Sequence, residues 1–331
     1  MDEALARLGA EGLEVPSLEI ATLADPWDAP EEPEGRRFKS GCAPLLALRR
    51  AQELLGSGEA EAVLVRGAEP LRSGYSRAER RAHMAILPGM SIPEAYTELA
   101  RVWMALHGVS PAEFRQLADA LLGSYEATAR RRGLHLFSPG SRATSVTDLF
   151  ALADCANPDI DFAGAVLVGT DRAAKCLGPA RGPGVRLWAL AVEILPDGPA
   201  QIPSLARYEH LTRAFRRLEE LAGAPLAARI QEGRILLEAY TCFPVVPLGF
   251  LLATGVLGST GEIAPWLARR EITVTGGMNL ARAPWNNPVL HALAVMADRL
   301  CEAGGPSVGL LHGNGGLGGW QGLALLERSP D

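Results

Sequence analysis

The sequence predicts an α/β fold in which one helix–turn–strand unit occurs twice. The first unit spans residues 41–69 and the second spans residues 285–316. Each begins with a small or polar helix cap, continues as an apolar helix pattern and a Gly-containing turn, and ends in a buried strand followed by glycine. Strands alternate with helices along much of the chain, which favours right-handed crossovers and a largely parallel sheet.

A shared binding site follows if this duplication brings the two helix starts together. A helix start presents free N–H groups and the positive end of the helix dipole. Two such starts at one crevice would flank an anion or the oxyanion of a reacting carbonyl.

The composition is typical of a folded globular protein, with 48% hydrophobic and 21% charged residues in a chain of 331. A net charge of −6 predicts neither a nucleic acid nor an anionic membrane as partner. No apolar run approaches the roughly 20 residues of a membrane span, and the N-terminus has no signal-peptide pattern. The cysteines are scattered without a Cys-x-x-Cys pair, which predicts a reducing cytoplasm and no disulfide framework. The histidines are scattered too, so no metal centre is expected.

The first half, residues 1–180, contains a predicted helical insertion. A strand is expected at Leu18–Leu23, followed by an exposed loop over residues 27–40 that is rich in Pro, Glu and Arg. The alternation of strands and helices then stops over about residues 74–153, which carry two long helix patterns at about 92–107 and 111–132. We expect this insertion to cover one edge of a sheet. The arginines at the end of its second long helix form either a solvated helix face or a basic lid for a phosphorylated ligand.

The second half, residues 185–331, returns to the alternation of strands and helices. The stretch Arg181–Gly184 is the best linker between the halves. Before it, Asp171 is the expected N-cap of a helix that follows a strand. After it, the predicted elements are a strand at Val185–Ile194, a helix at about 207–222, a strand at Ile235–Tyr240, a turn at Thr241–Pro244 and another helix.

Four short motifs in a fixed order resemble the thiolase superfamily. The closest resemblance is to its acetyl-CoA acetyltransferase-like and sterol-carrier-type branch. The motifs are Glu238–Pro244, Thr273–Gly277 with the Pro284, Asn286-Asn287 and His291 that follow it, the turn Asn314–Gly316, and the central segment Cys155–Gly178.

This resemblance implies a duplicated five-layer α-β-α-β-α architecture, usually in a dimer, and chemistry on acyl-CoA thioesters. Coenzyme A would enter as part of the substrate, and no separate cofactor is implied. In a typical member one cysteine is acylated, a histidine in a Gly-His-Pro turn activates it, and a second cysteine moves a proton. N–H groups and a bound water hold the oxyanion.

The chain departs from that pattern at the catalytic positions. Cys42 precedes the first repeated helix and is the candidate nucleophile, because a thiolate at a helix start is stabilised. When the turn after this helix is aligned with the family's turn, the position of the family's nucleophile falls on Gly41, one residue earlier. The alternative is that Cys42 is a buried structural cysteine. Ala283 stands where the histidine is expected, and Gly313 or Asn314 stands where the second cysteine is expected. Thiolysis by the usual route is therefore doubtful.

Other residues remain candidates for a polar pocket. Tyr240 ends its strand where the family places an Asn or His, so it is a candidate oxyanion donor or acid/base. Some thiolase-fold aldolases, which cleave steroid side-chain CoA thioesters, resemble this arrangement more than the thiolases do, so an aldolase that uses Tyr240 is a further alternative. The alternative is a buried ring with a backbone partner. Asn287 and His291 share a helix face. Asn287 either caps the helix or binds substrate, and His291 is either the best surviving base or a hydrogen-bonded core residue. The remaining candidates, for substrate binding, are His312, Asn314, Gly315 and Gly316.

Two function classes follow from these residues. The first is an enzyme that acts on or binds acyl-CoA thioesters, by acyl transfer or by formation or cleavage of a C–C bond. The second is a catalytically inactive subunit that scaffolds a partner. The expected assembly is a homodimer, or a heteromer with a thiolase-like or zinc-ribbon partner, because the N-terminus is shorter than usual and a missing strand would leave unpaired backbone groups.

Overall fold

The computed structural model describes most of the chain. The described residues are 1–25, 35–84, 87, 89–134, 136, 140–178, 184–195, 201–302 and 304–329. The proposed linker lies mostly outside them, as does the start of the Pro-rich loop.

The first half forms a sheet with the strand order β2-β1-β3-β4 and a set of helices. Its elements in order are α1 (Asp2–Ala10), β1 (Ser17–Ile20), β2 (Arg37–Phe38), α2 (Ala43–Gly56), β3 (Ala62–Pro70), α3 (Arg77–His83), α4 (Ile92–His107), α5 (Pro111–Arg131), α6 (Gly140–Ala143), β4 (Asp161–Gly169) and α7 (Asp171–Leu177).

The second half forms a sheet with the strand order β5-β8-β7-β6. Its elements are β5 (Val185–Ile194), α8 (Ile202–Ala206), α9 (Glu209–Ala222), α10 (Leu226–Gln231), β6 (Leu236–Glu238), α11 (Val245–Ala253), α12 (Ile263–Leu267), α13 (Pro288–Cys301), β7 (Val308–Gly315) and β8 (Trp320–Arg328).

These elements stack in five layers, as the resemblance implied. The two repeated helices, α2 and α13, pack against each other and contact both sheets, so they form the middle layer. Helices α1 and α7 cover the outer face of the first sheet, and α9 covers the outer face of the second. The repeated helices are buried because both flanks of each meet a sheet, which explains their largely apolar sequences.

The duplication extends to the pairing of single glycines. In the first sheet Gly67 on β3 pairs with Gly164 on β4, and in the second Gly313 on β7 pairs with Gly322 on β8. The residue before each repeated helix packs against these glycines: Asn287 against Gly67, and Cys42 against Gly322. A side chain at either glycine would collide with the helix cap, so small residues here allow the close approach of helix and sheet.

The sheets are mixed, and the prediction of a largely parallel sheet was wrong. β4 runs antiparallel to β3, and β8 runs antiparallel to both of its neighbours. A short turn joins β7 to β8, whereas the helical insertion separates β3 from β4 and most of the second half separates β5 from β8. Each sheet has four strands among the described residues, but the outer strand lies at a different edge: β2 pairs with the far edge of β1, and β5 pairs with the far edge of β8.

The helical insertion contacts helices of the second half instead of covering a sheet edge. Helix α4 packs on α8 and α11, and α5 packs on α12. Helices α4 and α5 lie where the two long helix patterns predict them, and Ser91 and Ser110 each begin a helix with a reciprocal Ser–Glu capping box. Gly108 ends α4 in the left-handed conformation.

Three local predictions need correction. The loop predicted over residues 27–40 contains the short strand β2, which pairs with β1. Thr170, not Asp171, caps α7, because the Thr170 hydroxyl accepts a hydrogen bond from the backbone N–H of Ala173. Asp171 is the first residue of that helix. The strand expected to reach Tyr240 ends at Glu238.

Candidate functional site

One pocket lies at the starts of both repeated helices. Gly41 reaches it from the turn before α2, while Pro284 and Trp285 reach it from the turn before α13. The cavity has a volume of about 170 Å³. Its other lining residues are Met84, Ile92, Pro93, Tyr96, Cys155, Ala156, Pro158, Tyr240, Cys242, Phe243, Met278, Ala283, Asn314, Gly315 and Gly316. The four motifs therefore meet at one place.

Tyr240 is held at this pocket by the chain around it. Two residues before it, the buried Glu238 carboxyl accepts hydrogen bonds from the hydroxyl and backbone N–H of Thr275 and from the Thr273 hydroxyl. These bonds join β6 to the loop that follows α12. Burial raises the pKa of Glu238, and the threonine hydrogen bonds oppose that rise. The backbone N–H of Tyr240 donates to Nδ1 of His312 at 3.3 Å. The backbone at Tyr240 is thereby fixed on both sides.

The hydroxyl of Tyr240 is free to meet a ligand. It forms no hydrogen bond within the described part of the chain, and it occupies the space in front of Gly41 that a Cβ would fill. The backbone carbonyl of Asn314 borders the same space. Burial raises the pKa of Tyr240 well above its ordinary value, so the group is a neutral donor at physiological pH.

A second tyrosine hydroxyl, on Tyr96, faces the pocket from the insertion. Its ring stacks on Phe243 with ring centres 4.2 Å apart. The hydroxyl accepts a hydrogen bond from Nδ2 of Asn314 at 3.2 Å. Burial raises the pKa of Cys242 to about 12, and a hydrogen bond from Tyr96 opposes this rise. Cys242 is therefore a neutral thiol in the pocket wall.

A buried polar chain supports both tyrosines. Nε2 of His312 donates to Oε1 of Gln321 at 2.6 Å, and Nε2 of Gln321 donates to Oδ1 of Asn314 at 2.7 Å. With Nδ1 accepting from the Tyr240 backbone, both ring nitrogens of His312 are occupied. Burial lowers the pKa of His312 to about 4, and the hydrogen bond to Gln321 partly opposes that change. His312 therefore positions its neighbours and has no free nitrogen for substrate.

Glu69 fixes the start of α13. Its buried carboxyl accepts hydrogen bonds from the backbone N–H groups of Asn286 and Asn287 and from Nδ2 of Asn287 at 2.9 Å. Burial raises the pKa of Glu69 to about 7, although these hydrogen bonds oppose the rise. Since Trp285 directly precedes this anchor, Glu69 also sets one wall of the pocket.

The structure does not bring Asn287 or His291 to the main pocket. Asn287 is fully buried and turns its side chain toward Glu69 and Gly67. His291 borders a separate cavity of about 10 Å³ behind Tyr240, and its ring packs edge-on against Phe162. Burial lowers the pKa of His291, with a smaller effect from Arg132.

Cys42 also lies away from the pocket. Its side chain is fully buried, and its sulfur would stand 2.6 Å from a Cβ at Gly322. Burial raises the pKa of Cys42 to about 12, with a smaller opposing effect from Arg49. A thiol in this position has neither the ionisation nor the access that a nucleophile needs. The structure gives Cys42 the environment of a core residue.

Strained backbone borders the pocket. Ser40, Arg282 and Leu317 are non-glycine residues with positive φ, and each adjoins a pocket-lining residue. Ser40 accepts a hydrogen bond from the backbone N–H of Cys42 at 3.1 Å, which shapes the turn at Gly41. Such conformations are costly and cluster at functional sites. Gly315 and Gly316 line the pocket beside this turn.

No charged side chain lines the pocket among the described residues. Ala283, at which the sequence resemblance places the usual histidine, lines the pocket with a methyl side chain. Elsewhere in the described chain, no group of three or more His, Cys, Asp or Glu is arranged to hold a metal ion. Within the same residues, each helix is too short or too polar to cross a membrane.

The sequence did not indicate Tyr96 as a site residue. The residue lies on the buried face of α4 at ordinary helical spacing, which predicts a core position. Only the packing of the insertion over the second half brings its hydroxyl to the pocket. The arginines at the end of α5 have other roles: Arg131 pairs with Glu271, and Arg132 donates to the carbonyl of Val274.

Comparison with known proteins identifies the fold. No protein-family model matches the sequence, and no curated protein matches it. The structure resembles that of a monomeric SCP2-thiolase-like protein type 1 from Mycobacterium smegmatis, with a TM-score of 0.69 and 18% identity over 96% of this chain and 69% of that chain. It also resembles an Ltp2–ChsH2(DUF35) aldolase, with a TM-score of 0.66 and 16% identity over 99% of this chain and 91% of that chain. The chain therefore has the thiolase-like fold that its motifs predicted.

Proposed function

We propose that the chain binds an acyl-CoA thioester with the acyl group in the pocket and the thioester carbonyl at the hydroxyl of Tyr240. The single observation that carries this proposal is the Tyr240 hydroxyl, which has no hydrogen-bond partner among the described residues, in an apolar cavity at the starts of α2 and α13. A neutral donor held in place in an apolar pocket stabilises negative charge on a carbonyl oxygen more than bulk water does.

The reaction class that fits this site is cleavage or formation of a C–C bond next to the thioester. In cleavage, the bond between the α and β carbons breaks, the β-hydroxyl loses a proton to water, and the electron pair enters a thioester enolate. The enolate oxygen accepts a hydrogen bond from Tyr240, which lowers the barrier. Covalent acyl transfer is less well supported, because Cys42 lies in the core and Gly41 has no side chain.

A carbonyl-specific binding experiment tests the role of Tyr240. The ligands are hexanoyl-CoA and its thioether analogue, which lacks the carbonyl oxygen, and binding is followed by calorimetry. We expect Tyr240→Phe to weaken binding of the thioester about fivefold, the equivalent of one hydrogen bond, and to leave the thioether unchanged. Tyr208→Phe is the matched control, because the Tyr208 hydroxyl donates to Val245 elsewhere in the core. Equal affinities of the Tyr240→Phe and unaltered proteins for the thioester would reject the proposal.

A second candidate function is a subunit that binds the thioester without turning it over. The observation in its favour is the uncharged pocket, which offers no ionised base among the described residues. Incubation of the purified chain with a 3-hydroxyacyl-CoA distinguishes the two candidates. Release of a carbonyl product supports the enzyme, whereas binding without release supports the subunit.

We also propose that the chain forms a homodimer or a heteromer and that it is cytoplasmic. A homodimer, or a heteromer with a thiolase-like or zinc-ribbon partner, would give a light-scattering mass clearly above the 35.1 kDa of one chain. Association with a second component is stated in the name of the Ltp2–ChsH2 neighbour, while the mycobacterial neighbour is described as monomeric. The free thiols Cys155 and Cys242 in the pocket wall are compatible with a reducing cytoplasm.

A further inference from the structure

The size and walls of the pocket define the acyl group that it accepts. Resting on the proposed function, we infer that the site selects short acyl groups of up to about six carbons, or a single six-membered ring, and that Phe243 sets this limit. A dry apolar cavity of about 150 Å³ is large enough to hold benzene. The cavity here has about 170 Å³. It therefore holds about one ring or its equivalent in chain length.

The wall behind this space is a continuous set of aromatic contacts. Phe243 stacks on Tyr96 with ring centres 4.2 Å apart, and it packs against Phe150 at 5.3 Å. Phe150 in turn contacts Phe114, and Phe114 contacts Trp103. All five rings are buried. A longer acyl chain would have to push Phe243 into these rings, and a close-packed interior has too little free volume for that movement.

The hydrogen-bonded side chains behind Tyr96 prevent its ring from moving away from Phe243. The Tyr96 hydroxyl is bound by Asn314, whose own amide oxygen is bound by Gln321. Moving the Tyr96 ring away from Phe243 would break this buried hydrogen bond. The depth of the cavity is thus set by packing on one side of Tyr96 and by hydrogen bonding on the other.

An affinity series with straight-chain acyl-CoA ligands tests the limit. Free CoA and the acetyl, butanoyl, hexanoyl, octanoyl and dodecanoyl thioesters are titrated by calorimetry. We expect affinity to rise severalfold for each added pair of methylenes up to hexanoyl. Octanoyl-CoA should bind at least tenfold more weakly than hexanoyl-CoA.

Variants of the wall identify the residue that sets the limit. Phe243→Leu should move the optimum to octanoyl-CoA, with at least a tenfold gain for that ligand. Phe215→Leu removes an equally buried ring from α9, away from the pocket, and should leave the series unchanged. If Phe243→Leu does not fold, Met84→Ala enlarges the cavity at another wall residue and should give a gain in the same direction.

The outcomes separate this inference from the proposed function. A continued rise in affinity to dodecanoyl-CoA, or an unchanged optimum in a folded wall variant, overturns the size limit while the thioester site stands. If none of the thioesters binds more tightly than free CoA, the proposed function itself fails. The expected optimum at hexanoyl-CoA, shifted by Phe243→Leu, supports both.

Discussion

The hydroxyl of Tyr240 occupies the space directly in front of Gly41, where any larger residue at that position would place its Cβ. Gly41 is the position at which the sequence resemblance to thiolases places the nucleophile. A side chain at that position and the tyrosine ring cannot share the space. The absence of a side chain at Gly41 is therefore what allows a neutral phenol to reach the pocket.

Gly41→Ala is expected to disturb the pocket at this contact. The new methyl group would meet the Tyr240 hydroxyl and the Asn314 carbonyl, and the backbone carbonyl cannot move aside cheaply. We expect a fall of about 1–3 kcal/mol in the free energy of unfolding and at least a tenfold loss of acyl-CoA affinity. Gly123→Ala is the control, since nothing lies within 4 Å of its Cβ position. Unchanged affinity in Gly41→Ala would contradict this account of the site.

Cys42 is expected to behave as a core residue. With a pKa of about 12, about one thiol in ten thousand is ionised at pH 8. Alkylation of the folded protein at pH 8, followed by peptide mass analysis, should modify the partly exposed Cys176 and leave Cys42 unmodified. Cys42→Ala should cost about 1 kcal/mol of stability and leave acyl-CoA affinity unchanged. An acyl adduct on Cys42 would show that the core position is not maintained in solution.

His312 should make the fold sensitive to acid. Its folded pKa of about 4 lies below the ordinary value of 6.5, so its stabilising contribution is present above pH 6.5 and is lost as the pH falls through 4. Denaturant unfolding of the unaltered protein and of His312→Gln isolates this contribution. The stability gap between them should shrink by about 2–3 kcal/mol between pH 7.5 and pH 4. A gap that stays constant across this range would mean that His312 is not buried as a neutral ring.

Glu69 should have the opposite dependence on pH. Its folded pKa of about 7 lies above the ordinary value of 4.5, so its stabilising contribution is full below pH 4.5 and is lost as the pH rises through 7. Glu69→Gln removes the titration and also turns an amide donor toward the N–H groups of Asn286 and Asn287. We expect the substitution to lower the free energy of unfolding by about 1–3 kcal/mol at pH 5 and by less at pH 8. Thermal unfolding at both values measures the difference, and a larger loss at pH 8 would contradict the prediction.

The sequence by itself determined the elements and the order of the motifs. Helices α4 and α5 were predictable almost to the residue because Ser91, Ser110 and Gly108 carry their boundary signals locally. The two repeated units were visible because a middle-layer helix must be apolar and must end before a turn and a buried strand. The convergence of both helix starts on one pocket followed from the duplication.

Only the tertiary structure decided which polar groups face the pocket. Cys42, Asn287 and His291 have suitable chemistry and suitable spacing, yet the packing of α2 and α13 onto the sheets turns them away from the cavity. Tyr96 reaches the pocket because the insertion folds over the other half of the chain. A helix or strand pattern fixes which residues share a face, but the direction of that face depends on contacts between residues more than a hundred positions apart, which local sequence does not encode.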